Sequence, residues 1–137
     1  MDPTRPCPCG LGAPYGECCG RLHAGGEAAT AELLMRSRYT AFAVGDDAYL
    51  LRTWHPATRP GRPGTDPAVR WRRLEVLGTT GGGPFDAEGT VRFRAHLVRT
   101  GPAGGAERGV VEEDSRFVRE GGRWLYVGEV PDPRAGR

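Results

Sequence analysis

The sequence predicts an α+β domain with a cysteine-bound knuckle ahead of it, on the strength of three observations. All four cysteines lie between positions 7 and 19. Apolar residues then recur with the 3.6-residue period of a helix from Ala31 to Phe42. From about Arg70 onward the period changes to two, as in half-buried strands. Helices gathered before strands favour an antiparallel sheet covered on one face, rather than alternating βαβ units.

In the cysteine stretch the spacing is C-x-C, eight residues, then C-C: Cys7, Cys9, Cys18 and Cys19. Four thiols in one short loop can close a tetrahedral shell around a soft or borderline divalent ion, and zinc is the usual occupant of an all-sulfur site. Interleaved glycines and the two turn prolines, Pro8 and Pro14, suit a tight loop. A closed thiolate shell leaves no position for water or substrate, so such a site is structural rather than catalytic. The alternative is a disulfide framework, which needs an oxidising compartment. The segment Met1–Pro6 has no apolar h-region, so the expectation is a reduced, cytoplasmic protein. Without its metal the knuckle is expected to disorder while the larger domain stays folded.

Residues 21–29 read as a small-residue linker. Thr30 is a suitable N-cap for a helix over 31–44, closed by Gly45. Its buried stripe is Ala31, Leu34, Met35, Ala41 and Phe42, with Arg38 in the middle and Arg36 and Tyr39 at the flanks. Asp46 or Asp47 caps a second helix over 48–54, with Leu50, Leu51 and Trp54 inward; Pro56 ends it by biasing His55 away from the helical region. Residues 58–67, rich in Pro and Gly, read as loop. The first strand is expected over 70–77, with a bulge because Trp71 and Leu74 differ in parity. The run Gly81–Gly83 lacks the Lys-Ser/Thr ending of a phosphate loop and reads as a flexible connection. The strand over 89–99 alternates, Val91, Phe93, Ala95 and Leu97 inward against Thr90, Arg92, Arg94 and His96 outward. Strands over 110–119 and 123–130 follow, joined by the turn 120–122, and the rest reads as a tail.

Two periodicities together place charge inside. The helical stripe buries Arg38, and Val111 and Phe117 put Glu113 and Ser115 on the inner face of the third strand. A buried charge needs a partner, so Arg38 and Glu113 are expected to meet as an ion pair near Ser115 and Tyr39. Trp71 and Trp124 are expected in the core.

With 137 residues, the chain suits one domain plus an appendage, and a domain of this size buries roughly two thirds of its unfolded surface. No apolar run reaches membrane-spanning length. Every basic side chain besides His is Arg, and Lys, Asn, Gln and Ile are absent, a bias that looks like GC-rich codon usage rather than selection for phosphate binding. A net charge of +2, with no basic cluster beside an aromatic platform, argues against specific nucleic-acid binding.

The cysteine stretch resembles the SEC-C motif, the small zinc-binding tail of the SecA preprotein translocase. The resemblance implies Zn2+ held by Cys7, Cys9, Cys18 and Cys19, with Gly10, Gly12, Tyr15 and Gly20 matching the framework. Leu11 and Ala13 stand where the motif usually has Ser and Lys. Its last ligand is Cys or His, and His23 is the alternative to Cys19. Behind the knuckle, the segments Leu34–Phe42, Thr53–Pro56, Glu113–Phe117 and Gly122–Trp124 look like the bacterial YchJ family. That resemblance covers nearly the whole chain. It implies a knuckle over 1–27, a cystatin-like, nuclear transport factor 2-like (NTF2-like) domain over 28–131 and a tail over 132–137. Such a fold often encloses a pocket, and fold alone implies no activity.

Two functions are weighed. The favoured one is a non-catalytic zinc-binding module whose knuckle docks on a protein partner, as the similar tail of SecA does, while the larger domain scaffolds or holds a small ligand. The other is an isomerase- or dehydratase-like enzyme using Glu113 and His55 in a pocket shared with Arg38, Tyr39 and Ser115. A filled core with a closed Arg38–Glu113 pair would favour the first. An open pocket with an unpaired, desolvated carboxylate would favour the second.

Overall fold

The computed structural model describes residues 1–131; the expected tail over 132–137 lies outside the described residues. The cysteine stretch doubles back on itself, since Pro6 and Pro14 form an antiparallel bridge and Cys7 N–H donates to Ala13 O at 2.9 Å. A 3-10 turn at Tyr15–Glu17 and a short helix α1 (Cys19–His23) complete the knuckle. At Gly20 a Cβ would lie 2.6 Å from the Tyr15 carbonyl oxygen, so only glycine lets α1 pack so closely on that turn.

Helix α2 (Ala31–Val44) begins where Thr30 Oγ1 accepts from Leu33 N–H at 3.1 Å and ends at Gly45, whose φ of 76° is the left-handed C-cap. Helix α3 (Asp47–Arg52) is capped by Asp46, which accepts from Tyr49 N–H at 3.0 Å. It is shorter than the expected 48–54, and Tyr49 and Leu50, rather than Leu51 and Trp54, are its buried residues. The last strand captures the chain first. Tyr126 N–H donates to Thr53 O and His55 N–H to Tyr126 O, each at 2.8 Å, and this bridge pulls Thr53–His55 out of helical geometry.

Four strands, β1 (Val69–Gly81), β2 (Glu88–Thr100), β3 (Ala106–Glu120) and β4 (Arg123–Glu129), form one antiparallel sheet in sequence order. The bulge foreseen in β1 lies between Trp71 and Arg73, with a second between Val76 and Gly78. The glycine run is only in part the connection expected, since Gly82 and Gly83 lie between β1 and β2 while Gly81 is still in the strand. Gly81 pairs with Gly89 inside the sheet, and Gly82 O accepts from Ala31 N–H at 3.0 Å. A Cβ on Gly82 would sit 2.8 Å from that of Ala31, so the absent side chain lets helix and sheet touch here.

The main core lies between α2 and one sheet face, where Leu34, Met35 and Tyr39 meet Leu74, Val91, Ala95, Phe117 and Trp124. Across the other face runs a ladder of exposed ion pairs, Arg73–Glu75 and Arg92–Glu112 at 2.7 Å with Arg94 reaching both carboxylates. A smaller core joins knuckle and helices: Leu22 of α1 packs with Ala41, Tyr49 and Leu50. Among the described residues no helix is long and apolar enough to cross a membrane.

Candidate functional site

The turn and helix of the knuckle bring the four cysteine sulfurs within 4.8 Å of one another, with Cys7, Cys9 and Cys19 buried and Cys18 partly so. Cys9 Sγ and Cys18 Sγ are 3.6 Å apart. A tetrahedral thiolate shell with metal–sulfur bonds of about 2.3 Å has sulfur–sulfur edges of about 3.8 Å, so the cluster fits one zinc-sized ion. All four cysteines are free of disulfides. Hydrogen bonds from Cys19, then Cys9, hold the Cys7 thiol far below the usual range. Its charge in turn resists a second one. At Cys9 the bond from Cys19 acts downward, yet Cys7 and burial outweigh it and push the thiol up to about 12. Bonds to Cys7 and Cys9, with burial, push Cys19 up as well. Thiolates so close and so dry repel one another, a repulsion that a bound divalent cation would offset.

The cluster leans on α2. Thr40 Oγ1, fully buried, lies 3.8 Å from Cys7 Sγ, and Arg36 Nη1 donates to Cys9 O at 2.8 Å. His23, the alternative fourth ligand, is used elsewhere. Its Nε2 donates to Ser37 O at 2.8 Å, which leaves Nδ1 to accept from Tyr15 OH at 2.7 Å. With both ring nitrogens engaged, His23 clamps the knuckle to α2 and is not part of the sulfur cluster.

The second candidate site is a cavity of about 310 Å³ between α2 and the sheet, lined by Arg38, Tyr39, Glu113 and Ser115 among others. The expected Arg38–Glu113 ion pair is absent. Arg38 is 5% exposed, and its Nη1 donates to Leu50 O at 2.8 Å and Thr53 Oγ1 at 2.6 Å. The guanidinium carbon lies 4.6 Å from the Tyr126 ring centroid and 4.9 Å from that of Trp54. Burial lowers its pKa to about 10, so it stays charged at neutral pH. Glu113 instead accepts from Ser115 Oγ and, at 3.0 Å, from Tyr126 OH. Burial first, and Glu113 second, push the Tyr126 phenol upward, which keeps it a donor. The two periodicities put both charges on inward faces, but Tyr126 on β4 lies between them and satisfies each differently.

His55 does not line the cavity. Ala57 N–H donates to its Nδ1 at 3.0 Å, and Nε2–H then donates to Glu120 at 2.9 Å near the surface. Trp124 is in the core as expected, whereas Trp71, expected there too, packs at the core's edge and forms part of the cavity wall. The aromatic residues unforeseen at the site include Phe42, Trp54, Trp71, Phe93 and Tyr126. For Tyr126 a signal was present: it lies two residues from the inward Trp124, on the same strand face.

The family description "YchJ, middle NTF2-like domain" matches residues 30–129. The chain belongs to the YchJ family. It is 54% identical to a UPF0225 protein of Corynebacterium glutamicum over 126 residues, covering 90% of this chain and 96% of that one. A UPF0225 protein of Streptomyces avermitilis is 56% identical over 122 residues, 88% of this chain and 81% of its own. Among solved structures, a SEC-C motif containing protein from Rhodopseudomonas palustris superposes with a TM-score of 0.77 at 34% identity, covering 93% of this chain and all of that one. Another from Psychrobacter arcticus gives 0.69 at 26% identity, covering 98% and 85%. The chain thus has the family's NTF2-like α+β domain behind a cysteine cluster, its whole fold resembles two solved SEC-C motif containing proteins, and the cluster is compatible with metal binding.

Proposed function

We propose that this YchJ-family protein is a non-catalytic binding module whose knuckle is built around one structural zinc ion held by Cys7, Cys9, Cys18 and Cys19. The observation that carries this is the gathering of four free thiols within 4.8 Å in a segment with little apolar core of its own. Folding such a segment draws on metal-binding free energy. A closed thiolate shell provides shape, not a reaction. A thiolate site of this kind needs a reducing compartment, and on that ground we place the protein in the cytoplasm.

The knuckle's inner side is occupied by α2, so a protein partner would meet its outer loop, where Leu11 is 47% exposed. The enzyme reading meets part of its criterion, because the cavity is open and Glu113 forms no ion pair with Arg38, but that carboxylate is already hydrogen-bonded by Ser115 and Tyr126. His55 and Glu113 belong to different hydrogen-bond systems, which leaves the cavity's carboxylate without the proposed acid–base companion.

Elemental analysis of protein purified under reducing conditions tests the metal: one zinc per chain is expected, lost on Cys9→Ser. Less than about a tenth of an equivalent would refute it. For docking, lysate capture with the intact chain, Leu11→Asp and a chain beginning at Ala28 is compared. A partner lost with both changes is expected, and partners unchanged across all three would contradict the docking face.

A further inference from the structure

We infer that the cavity between α2 and the sheet is a binding site for a small ring-bearing monocarboxylate, with the Arg38 guanidinium as its charge anchor. Arg38 is nearly fully buried, and among the described residues it has no carboxylate within ion-pair distance. Its hydrogen bonds to described residues all leave from Nη1, so Nε and Nη2 remain free to donate. Glu113 shares the cavity and its charge acts on Arg38, but only from beyond Tyr126. A buried cation with no carboxylate in contact is costly, and a carboxylate matches the paired N–H edge of a guanidinium.

The walls indicate what the carboxylate is attached to. Tyr39, Phe42, Trp71 and Phe93 supply aromatic surface. A volume of about 310 Å³ is at the low end for small-molecule sites, room for one or two rings. Glu113 limits the ligand to a single negative charge. Two hydroxyl groups already donate to it, so it needs no ligand cation, and a second carboxylate in the cavity would meet its repulsion. Lining residues and knuckle residues are separate sets, so this inference and the metal reading stand or fall independently.

Isothermal calorimetry on the full chain, as purified under reducing conditions, is the test, with phenylacetate, phenylacetamide, phenethylamine and phenylmalonate as probes. Phenylacetate should bind saturably, and the amide, the amine and the dianion at least about tenfold more weakly. Arg38→Met should weaken phenylacetate by about tenfold or more, and Glu113→Gln should retain it and admit phenylmalonate. Arg38 also holds α3, so a second variant guards against misfolding. Val111, at the rim and 40% exposed, can become Trp without disturbing the core, and Val111→Trp should block phenylacetate. No saturation by phenylacetate below about 10 mM, equal binding of the amide, or tighter binding of the amine with loss on Glu113→Gln would each overturn the inference.

Discussion

Arg38 and Glu113 show how a single side chain can redirect an expectation. Had they formed a closed buried pair, removing one partner would cost about 3 to 5 kcal/mol and removing both would restore much of it. Each is instead satisfied by other groups. Arg38→Met strips partners from Leu50 O and Thr53 Oγ1 and should destabilise by about 2 kcal/mol, and Glu113→Leu, which strands two hydroxyls near the cavity, by about 1 kcal/mol. Urea denaturation of both single variants and the double variant should give a coupling energy below about 1 kcal/mol. A coupling of 3 kcal/mol or more would mean that the charges pair directly in solution.

Among the elements, α1 is the shortest α-helix and still supplies a residue to a shared core. Five residues long, it could not be stable alone, yet Leu22 is 4% exposed in a core shared with α2 and α3. Leu22→Ala should therefore cost about 2 to 5 kcal/mol, a core penalty from a residue that reads as linker in the sequence. Denaturant midpoints of the two proteins measure it, and a change under about 0.5 kcal/mol would place α1 outside the cooperative unit. The other elements follow from local chemistry more directly. The cap at Thr30, the left-handed Gly45 and the alternation from Val91 to Leu97 each specify their own stretch, whereas the end of α3 depends on pairing with β4, some seventy residues away by sequence count.

For the whole molecule, the knuckle and the larger domain are coupled, which modifies the expectation that chelation spares the domain. The sheet core contains no knuckle residue, so the sheet should persist without metal. The Leu22 core and the His23 clamp would be lost with the knuckle's order. Chelation under reducing conditions should thus lower the domain's Tm by about 5 to 15 °C while far-UV circular dichroism keeps its sheet signal. An unchanged Tm, or complete loss of that signal, would contradict this division of the two cores.

By itself the sequence determined whatever depends on short-range spacing: the grouping of the thiols, the bounds of α2, the alternation of β2 and the inward parity of Arg38, Glu113 and Ser115. Periodicity assigns a side chain to a face because a helix or strand repeats its geometry every few residues. It cannot say which groups on two inward faces come within hydrogen-bond reach. Tertiary packing alone decided that Tyr126 separates Arg38 from Glu113, that His23 bonds α2 and lies outside the sulfur cluster, and that His55 turns to Glu120 at the surface. In each case a hydrogen bond or ring contact between distant segments chose among partners that local sequence left equivalent, because distances of a few ångströms across the fold are set by how helices, sheet and knuckle pack together.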